Sequence, residues 1–287
     1  FINTVSPTFL NEIAAGYHGF IEPHIRAETV EKKRAGCASG ILNAPDPSFD
    51  PAVDRLLTKT YTPETHEEGK CANKLALQEI LGLDRDASAP LFFWPSRLDP
   101  VQKGCQVLTD ILYDLVADYW DDGFQLAIVA NGEYQQHFRT IVGMHNFHRR
   151  VAVCDFDERL SHLGYAGADF MLMPSYFEPC GLPQMISAIY GTLPIVHDTG
   201  GLHDTVKPLD SRENTGNGFP FSVCDSAGLR WAVDQAMQFY RLPEQQRSEQ
   251  IRRIMGVGAA TFNHKVATES YFRLYEEMLQ RPLIARQ

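Results

Sequence analysis

The sequence predicts an α/β fold, a Rossmann-like parallel sheet with helices on both faces. Three observations predict it. Short apolar runs recur at residues 91–94 (LFFW), 125–129 (QLAIV), 151–154 (VAVC), 170–173 (FMLM) and 193–196 (LPIV). Each run is unbroken rather than alternating, which is how a strand buried on both faces reads. Between the runs lie segments of helical periodicity, long enough for the crossovers that parallel strands need. Such a sheet binds ligands beyond the carboxyl ends of its strands, where the strand order reverses.

In chain order, residues 1–5 read as the end of a strand. Ser6, Pro7 and Thr8 then open a short helix, with Glu12 favouring its N-terminal end. Residues 16–40 read as irregular, with the charged run 28–34 as a solvated helical turn. Residues 41–51 (ILNAPDPSFDP) carry three prolines and two aspartates and must be a loop. Residues 56–74 read as a linker leading into a helix over 73–81, closed by Gly82.

The regular alternation starts there. Strand 91–94 leads to a helix over 102–119, strand 125–129 to a helix over 133–142, and strand 151–154 to a helix over 157–167. Strand 170–173 precedes the turn at Glu178, Pro179, Cys180 and Gly181. A helix follows on the spacing of Leu182, Met185, Ile186 and Ile189, and Gly191 closes it. Strand 193–196, the turn Thr199-Gly200-Gly201 and a helix starting at Leu202 make a second such unit. Strand 219–223 and helices over 226–240, 245–260 and 265–279 complete the chain.

Composition narrows the function classes. With 287 residues, 44% hydrophobic and 22% charged, the chain can build a sizeable core. A net charge of −10 and a pI near 5.4 argue against nucleic acid or an anionic membrane as partner. Any phosphate must be held by a few local cations. Six cysteines lie scattered without a C-x-x-C, which points to a reducing compartment, the cytoplasm, and away from zinc or redox motifs. The histidines, among them His162, His197, His203 and His264, lack metal-binding spacing, so no metal or cofactor is expected. No apolar run is long enough for a membrane span, and no signal segment opens the chain. Because it begins on Phe1, in mid-element, the chain is read as a fragment of a longer protein.

The residues able to carry chemistry follow strands. Arg97 and Lys103 share the loop after residues 91–94, where two cations can neutralise a diphosphate, Arg as a fork and Lys as a point charge. Glu178 lies in a turn bounded by Pro and Gly, where it can bond a sugar hydroxyl or stabilise a cationic anomeric centre. Both strand–turn–helix units offer backbone N–H groups to an anion. Gly200 and Gly201 lack the side chains that would keep a phosphate at a distance. An anion cradle beside a fixed carboxylate suits an enzyme that handles a phosphorylated sugar. On residue type alone, Cys180 reads as a small buried hydrophobe, Phe156 as core or a base-stacking ring, and Asn43 as a turn residue. A G-x-G-x-x-G fingerprint is absent, which disfavours a dinucleotide-dependent oxidoreductase.

Together, Ser96-Arg97-Leu98 with Gln102-Lys103-Gly104, then PSYFEPCGLPQM and YGTLPIVHDTGGLHDTV, closely resemble the bacterial glycogen synthases and plant starch synthases. TVSPTFLNEI and GILNAPDPSFDPAVD fit the same family in the same order. The resemblance implies a retaining glycosyltransferase of the two-domain GT-B fold, this chain being its C-terminal, donor-binding half. It implies transfer of glucose from ADP-glucose or UDP-glucose to the non-reducing end of an α-1,4-glucan, in the cytoplasm or a plastid. Arg97 and Lys103 would grip the diphosphate, with Glu178 by the donor glucose and Cys180 as the active-site cysteine. Gly181, Leu182, Thr199, Gly200 and Gly201 would line the donor, Phe156 would stack on the base, and Asn43 would face the inter-domain cleft.

The implied division is residues 1–85 as the tail of the acceptor domain and linker, 86–262 as the nucleotide-sugar domain and 263–287 as a C-terminal helix. The family's lysine–Gly-Gly loop and active-site histidine are absent, so the acceptor domain is expected to be missing and the fragment inactive by itself. Other departures are a loop one residue longer between Leu98 and Gln102, His197 and Asp198 in place of a more basic pair, and His264 in place of tryptophan. Two other readings stand beside this one: a different retaining GT-B transferase, or a non-catalytic module that binds nucleotide or glucan.

Overall fold

The computed structural model describes residues 1–280 and 283. A small unit comes first: β1 (Ile2–Thr4), α1 (Pro7–Ala15), α2 (Pro23–Arg34) and β2 (Ala38–Gly40). After a long loop comes α3 (His66–Leu81). The alternating part follows: β3 (Leu91–Trp94), α4 (Cys105–Thr109), α5 (Leu112–Asp118), β4 (Gln125–Val129), α6 (Gln135–His145), β5 (Val151–Cys154) and α7 (Glu158–Gly167). It continues through β6 (Phe170–Met173), α8 (Pro183–Tyr190), β7 (Leu193–His197), α9 (Gly200–Thr205), β8 (Phe219–Phe221) and α10 (Ser226–Tyr240). The last two helices are α11 (Glu244–Thr261) and α12 (His264–Leu279).

The six strands β3 to β8 form one wholly parallel sheet in the order β5-β4-β3-β6-β7-β8. The chain builds outward from β3 to β5, then returns to β6 and builds the other way. The order therefore reverses between β3 and β6, which is where ligands bind in such sheets. Alternation of side chains along each strand divides the core into two layers. Phe92, Trp94, Leu126, Ile128, Phe170 and Leu172 pack with α4, α5, α6 and α10. Leu91, Phe93, Ala127, Val129, Met171 and Met173 pack with α3, α7 and α8. Burial on both faces is why the strands read as unbroken apolar runs.

Several expectations are corrected. Residues 16–40 are not irregular: they hold α2 and β2. α2 buries only Thr29, so no apolar stripe announces it. β2 is the three residues ASG, and only its pairing with β1 makes it a strand. α3 starts at His66, seven residues before the expected start, through a polar turn rich in helix formers. The single helix over 102–119 is two. Ile111 N–H bonds the Leu108 carbonyl, at i−3 rather than i−4, so the ladder tightens and breaks there, just after Asp110 N–H has still reached the Gln106 carbonyl. β8 stops at Phe221. The expected C-terminal helix is seen as α12, and residues 281, 282 and 284–287 of that expectation lie outside the described residues.

The first 85 residues are tied to the large sheet by buried polar groups. Asp54 accepts from the Tyr190 hydroxyl at 2.6 Å and pairs with His162 Nδ1 at 2.7 Å. Lys70 of α3 donates Nζ to the carbonyls of Ala168 (2.8 Å) and Ala166 (3.1 Å) and to the Thr192 hydroxyl (2.9 Å). It thus satisfies carbonyls at the end of α7 that no helix bond can reach.

Burial pushes the Lys70 ammonium down to about 7. Between pH 7 and 8.5 the unfolded chain keeps this proton while the folded chain releases it, so stability rises with pH through this group. Urea unfolding across that range should show wild type gaining up to about 2 kcal/mol relative to Lys70→Met. Parallel curves for the two proteins would mean that Lys70 stays charged in the fold.

Candidate functional site

Three loops meet beyond the carboxyl ends of β3, β6 and β7. The first two are stitched together. Tyr176 N–H donates to the Gln102 carbonyl at 2.8 Å, and the Gln102 amide to the Phe177 carbonyl at 3.3 Å. Gly104 lies at φ +66°, and a Cβ there would stand 1.9 Å from the Pro174 carbonyl oxygen. Only glycine lets the start of α4 approach the end of β6 so closely. That approach sets Lys103 against Glu178, with Nζ 2.6 Å from Oε2. The Ser175 hydroxyl donates to the same oxygen at 3.1 Å. The longer loop between Leu98 and Gln102 does not keep Lys103 out of the site.

Lys103 is 9% exposed and Glu178 6%. Taking both charges from water costs about what their attraction returns, so such a pair is weak evidence for stability. Here it lies at the reversal of strand order, where it leaves a cation and a carboxylate aimed at one place.

The third loop, Thr199-Gly200-Gly201, uses its glycines differently from the sequence expectation. Neither N–H group is left over for an anion. Gly200 N–H donates to Glu12 Oε1 at 2.8 Å, and Gly201 N–H to the Glu178 carbonyl at 2.9 Å. What the missing side chains provide is closeness. A Cβ on Gly200 would lie 2.0 Å from the Glu178 carbonyl oxygen, and one on Gly201 2.0 Å from that of Cys180. The start of α9 thus presses on the Glu178 turn and holds it. The unspent donors belong to the other unit: the N–H groups of Gly181 and Leu182, at the start of α8, bond no acceptor among the described residues.

Glu12 was missed as a site residue. Its carboxylate also accepts from the Thr199 hydroxyl at 3.0 Å and meets His18 Nε2 at 2.9 Å. It lies 187 positions from Thr199, and nothing in the spacing joins them. The one signal was a carboxylate in a short helix whose other acidic neighbours are absent. Asp204 makes a parallel link, accepting from Thr8 N–H at 3.2 Å and the Thr8 hydroxyl at 2.6 Å.

Arg97 does not join the Lys103–Glu178 pair. Arg97 is exposed and joins no ion pair among the described residues. It lines an open hollow of about 740 Å³ with Asn131, Glu133 and Phe156, at the carboxyl ends of β3, β4 and β5. Phe156 is 55% exposed, so its ring is not core, and its N–H donates to the Asn131 side chain at 2.9 Å. Asn43 is not in that hollow; its backbone comes close to the Cys180 thiol. Burial, the largest influence, pushes the Cys180 thiol up, away from a nucleophilic thiolate. Arg97 and Phe156 thus share one hollow, while Lys103 pairs with Glu178 and the two-glycine turn presses on Glu178 and Cys180.

A doubly covered parallel sheet, with a cation, a carboxylate and unspent N–H groups at its switch point, defines a Rossmann-like α/β class of protein. Residues 89–238 match the family of glycosyl transferases group 1, and the chain belongs to it. Among curated relatives, the chain is 34% identical over 285 residues to a glycogen synthase of Geobacillus thermodenitrificans, covering 98% of this chain and 55% of the relative. It is 41% identical over 246 residues to that of Exiguobacterium sibiricum, covering 83% and 48%. Among solved structures, the catalytic domain of starch synthase IV from Arabidopsis thaliana, bound to ADP and acarbose, superposes with a TM-score of 0.84. That match has 30% identity and covers 98% of this chain and 56% of the other. The resemblance read from the motifs is met, and so is the fold class. The chain spans about half the length of the curated relatives it matches.

Proposed function

We propose that this chain is the donor-binding half of a glycogen or starch synthase, a retaining transferase of glucose from ADP-glucose or UDP-glucose to the non-reducing end of an α-1,4-glucan. The observation that carries the reading is the buried Lys103–Glu178 pair beside the free N–H groups of Gly181 and Leu182 at the switch point. As the glucose–phosphate bond breaks, negative charge grows on the departing diphosphate and positive charge on the anomeric carbon. Lys103 and the two N–H groups meet the first, and Arg97 reaches the diphosphate from the hollow beside them. Glu178, already held from three sides, faces the second. Phe156 offers its open face to the base. Pre-set groups of this kind need no reorganisation during the reaction, which is the source of their effect.

Acceptor binding falls to the part of the full-length relatives that this chain does not span. The relative crystallised with ADP and acarbose supports an adenine nucleotide and an oligosaccharide as ligands.

Calorimetric titration of the chain with ADP, UDP and NAD tests the reading. ADP or UDP should bind, NAD should not, and Phe156→Ala should weaken ADP by roughly fivefold to tenfold through the lost stacking. Binding of NAD in preference to both nucleoside diphosphates would overturn it.

A further inference from the structure

A groove of about 330 Å³ lies at the edge of the sheet, far along the fold from Glu178. It forms where the start of β8, the loop after α9 and the outer stripe of α10 come together. Gly218, Phe219 and Pro220 line it at the amino-terminal end of the edge strand. Lys103 and Glu178 lie beyond the carboxyl ends. The two places therefore face opposite ends of the sheet.

Three residues of α10 supply one wall: Trp231, Gln235 and Gln238, spaced i, i+4 and i+7, so they form one stripe. Leu209 and Ser211 face them from the loop. Trp231 is 53% exposed although it lines a groove, so about half of its surface is within reach of a ligand. The side chains of Ser211, Gln235 and Gln238 make no hydrogen bond within the protein among the described residues. Each amide offers both donors and an acceptor, and the hydroxyl can do either.

The charge of the lining decides between ligand classes. No residue of the groove carries a charge, in a chain where 22% do and the net charge is −10. A nucleotide, an anion or a charged peptide would find no counter-charge there. A neutral ligand with apolar faces and a fringe of hydroxyls would find a flat aromatic for the faces and amides for the fringe. A pyranose has that form, and a linear glucan repeats it.

We propose that this groove is a second glucan-binding site, which holds a segment of the α-1,4-glucan away from the end being extended. The proposal rests on the reading of the full-length protein as a glucan-extending enzyme. Its physical use is effective concentration. A polymer held by one segment presents its other ends to the transfer site as a near-intramolecular partner. A short primer that cannot span both places gains nothing.

Two measurements on the chain test the groove and keep it separate from the donor site. In affinity gels cast with glycogen, the wild-type chain should be retarded, and maltoheptaose should release it. Trp231→Ala and the pair Gln235→Ala/Gln238→Ala should each weaken retardation at least fivefold. Calorimetric ADP affinity should be unchanged in both variants. In the full-length protein, Trp231→Ala should raise the apparent KM for glycogen severalfold while leaving kcat and the KM for maltotriose as they were. ADP binding without retardation, or retardation that neither variant reduces, would overturn the glucan groove and leave the donor site standing. Capture of a protein through this face, with no competition by maltoheptaose, would overturn it as well. Loss of ADP binding by the wild-type chain would instead strike at the donor reading.

Discussion

Lys103→Ala in the full-length protein is expected to lower kcat/KM with ADP-glucose by well over tenfold. A cation directed at phosphate in a closed site is worth ~2–4 kcal/mol. The same change has a second consequence, because Nζ sits 2.6 Å from Glu178 in a buried pair. Removing one partner strands the other, at about 3–5 kcal/mol. A simple loss of activity would therefore not separate a role in binding from a role in folding. The double variant Lys103→Met/Glu178→Gln does separate them. It removes both charges while keeping shape, and a neutral pair in place of a buried ionic one is often as stable. Its melting temperature should return most of the way to wild type, while ADP affinity and turnover stay low. Steady-state kinetics, calorimetry and thermal denaturation on the three proteins decide the matter. Wild-type kcat/KM in Lys103→Ala would remove this side chain from the scheme.

The parts of the fold that showed in the sequence are those whose physics is local or uniform. β3, β4, β5, β6 and β7 are buried on both faces, so the apolar runs alone mark them. The N-cap of α1 showed too, since Ser6 Oγ accepts Phe9 N–H within one turn. α2 did not, because a helix that buries a single residue has no periodicity to read. β2 did not, because its partner strand makes it what it is.

The candidate site divides along the same line. Lys103 and Glu178 were each legible as residues after a strand, but as groups for separate ends of a ligand. Their direct pairing depends on how closely Gly104 lets α4 approach Pro174, a tertiary fact. Gly200 and Gly201 were legible as glycines that must be glycines, but the reason differs. Spacing tells that a side chain is excluded there; it does not tell what the N–H bonds. Glu12 fills that gap from the far end of the chain.

Gly200→Ala is expected to damage both the stability of this site and the placement of its carboxylate. Two costs coincide. At φ +46° the backbone lies in the left-handed region, which costs an alanine about 1 kcal/mol. The new Cβ would also stand 2.0 Å from the Glu178 carbonyl oxygen, a backbone atom with no rotamer to escape into. Relief requires the turn at Glu178 to move away from α9. That breaks the bond from Gly201 N–H to the same oxygen and swings the Glu178 carboxylate off Lys103.

The sum should be ~2–4 kcal/mol of stability, read by urea unfolding. Turnover of the full-length protein should fall about a hundredfold, since a shift of 1 Å in a catalytic group has that scale of effect. Gly143→Ala is the control. Gly143 lies within α6 with nothing within 4 Å of its would-be Cβ, so alanine there should stabilise by ~0.5–1 kcal/mol through helix propensity and leave turnover unchanged. A Gly200→Ala protein as stable and as active as Gly143→Ala would mean that the contact between α9 and the Glu178 turn is not what holds the carboxylate in place.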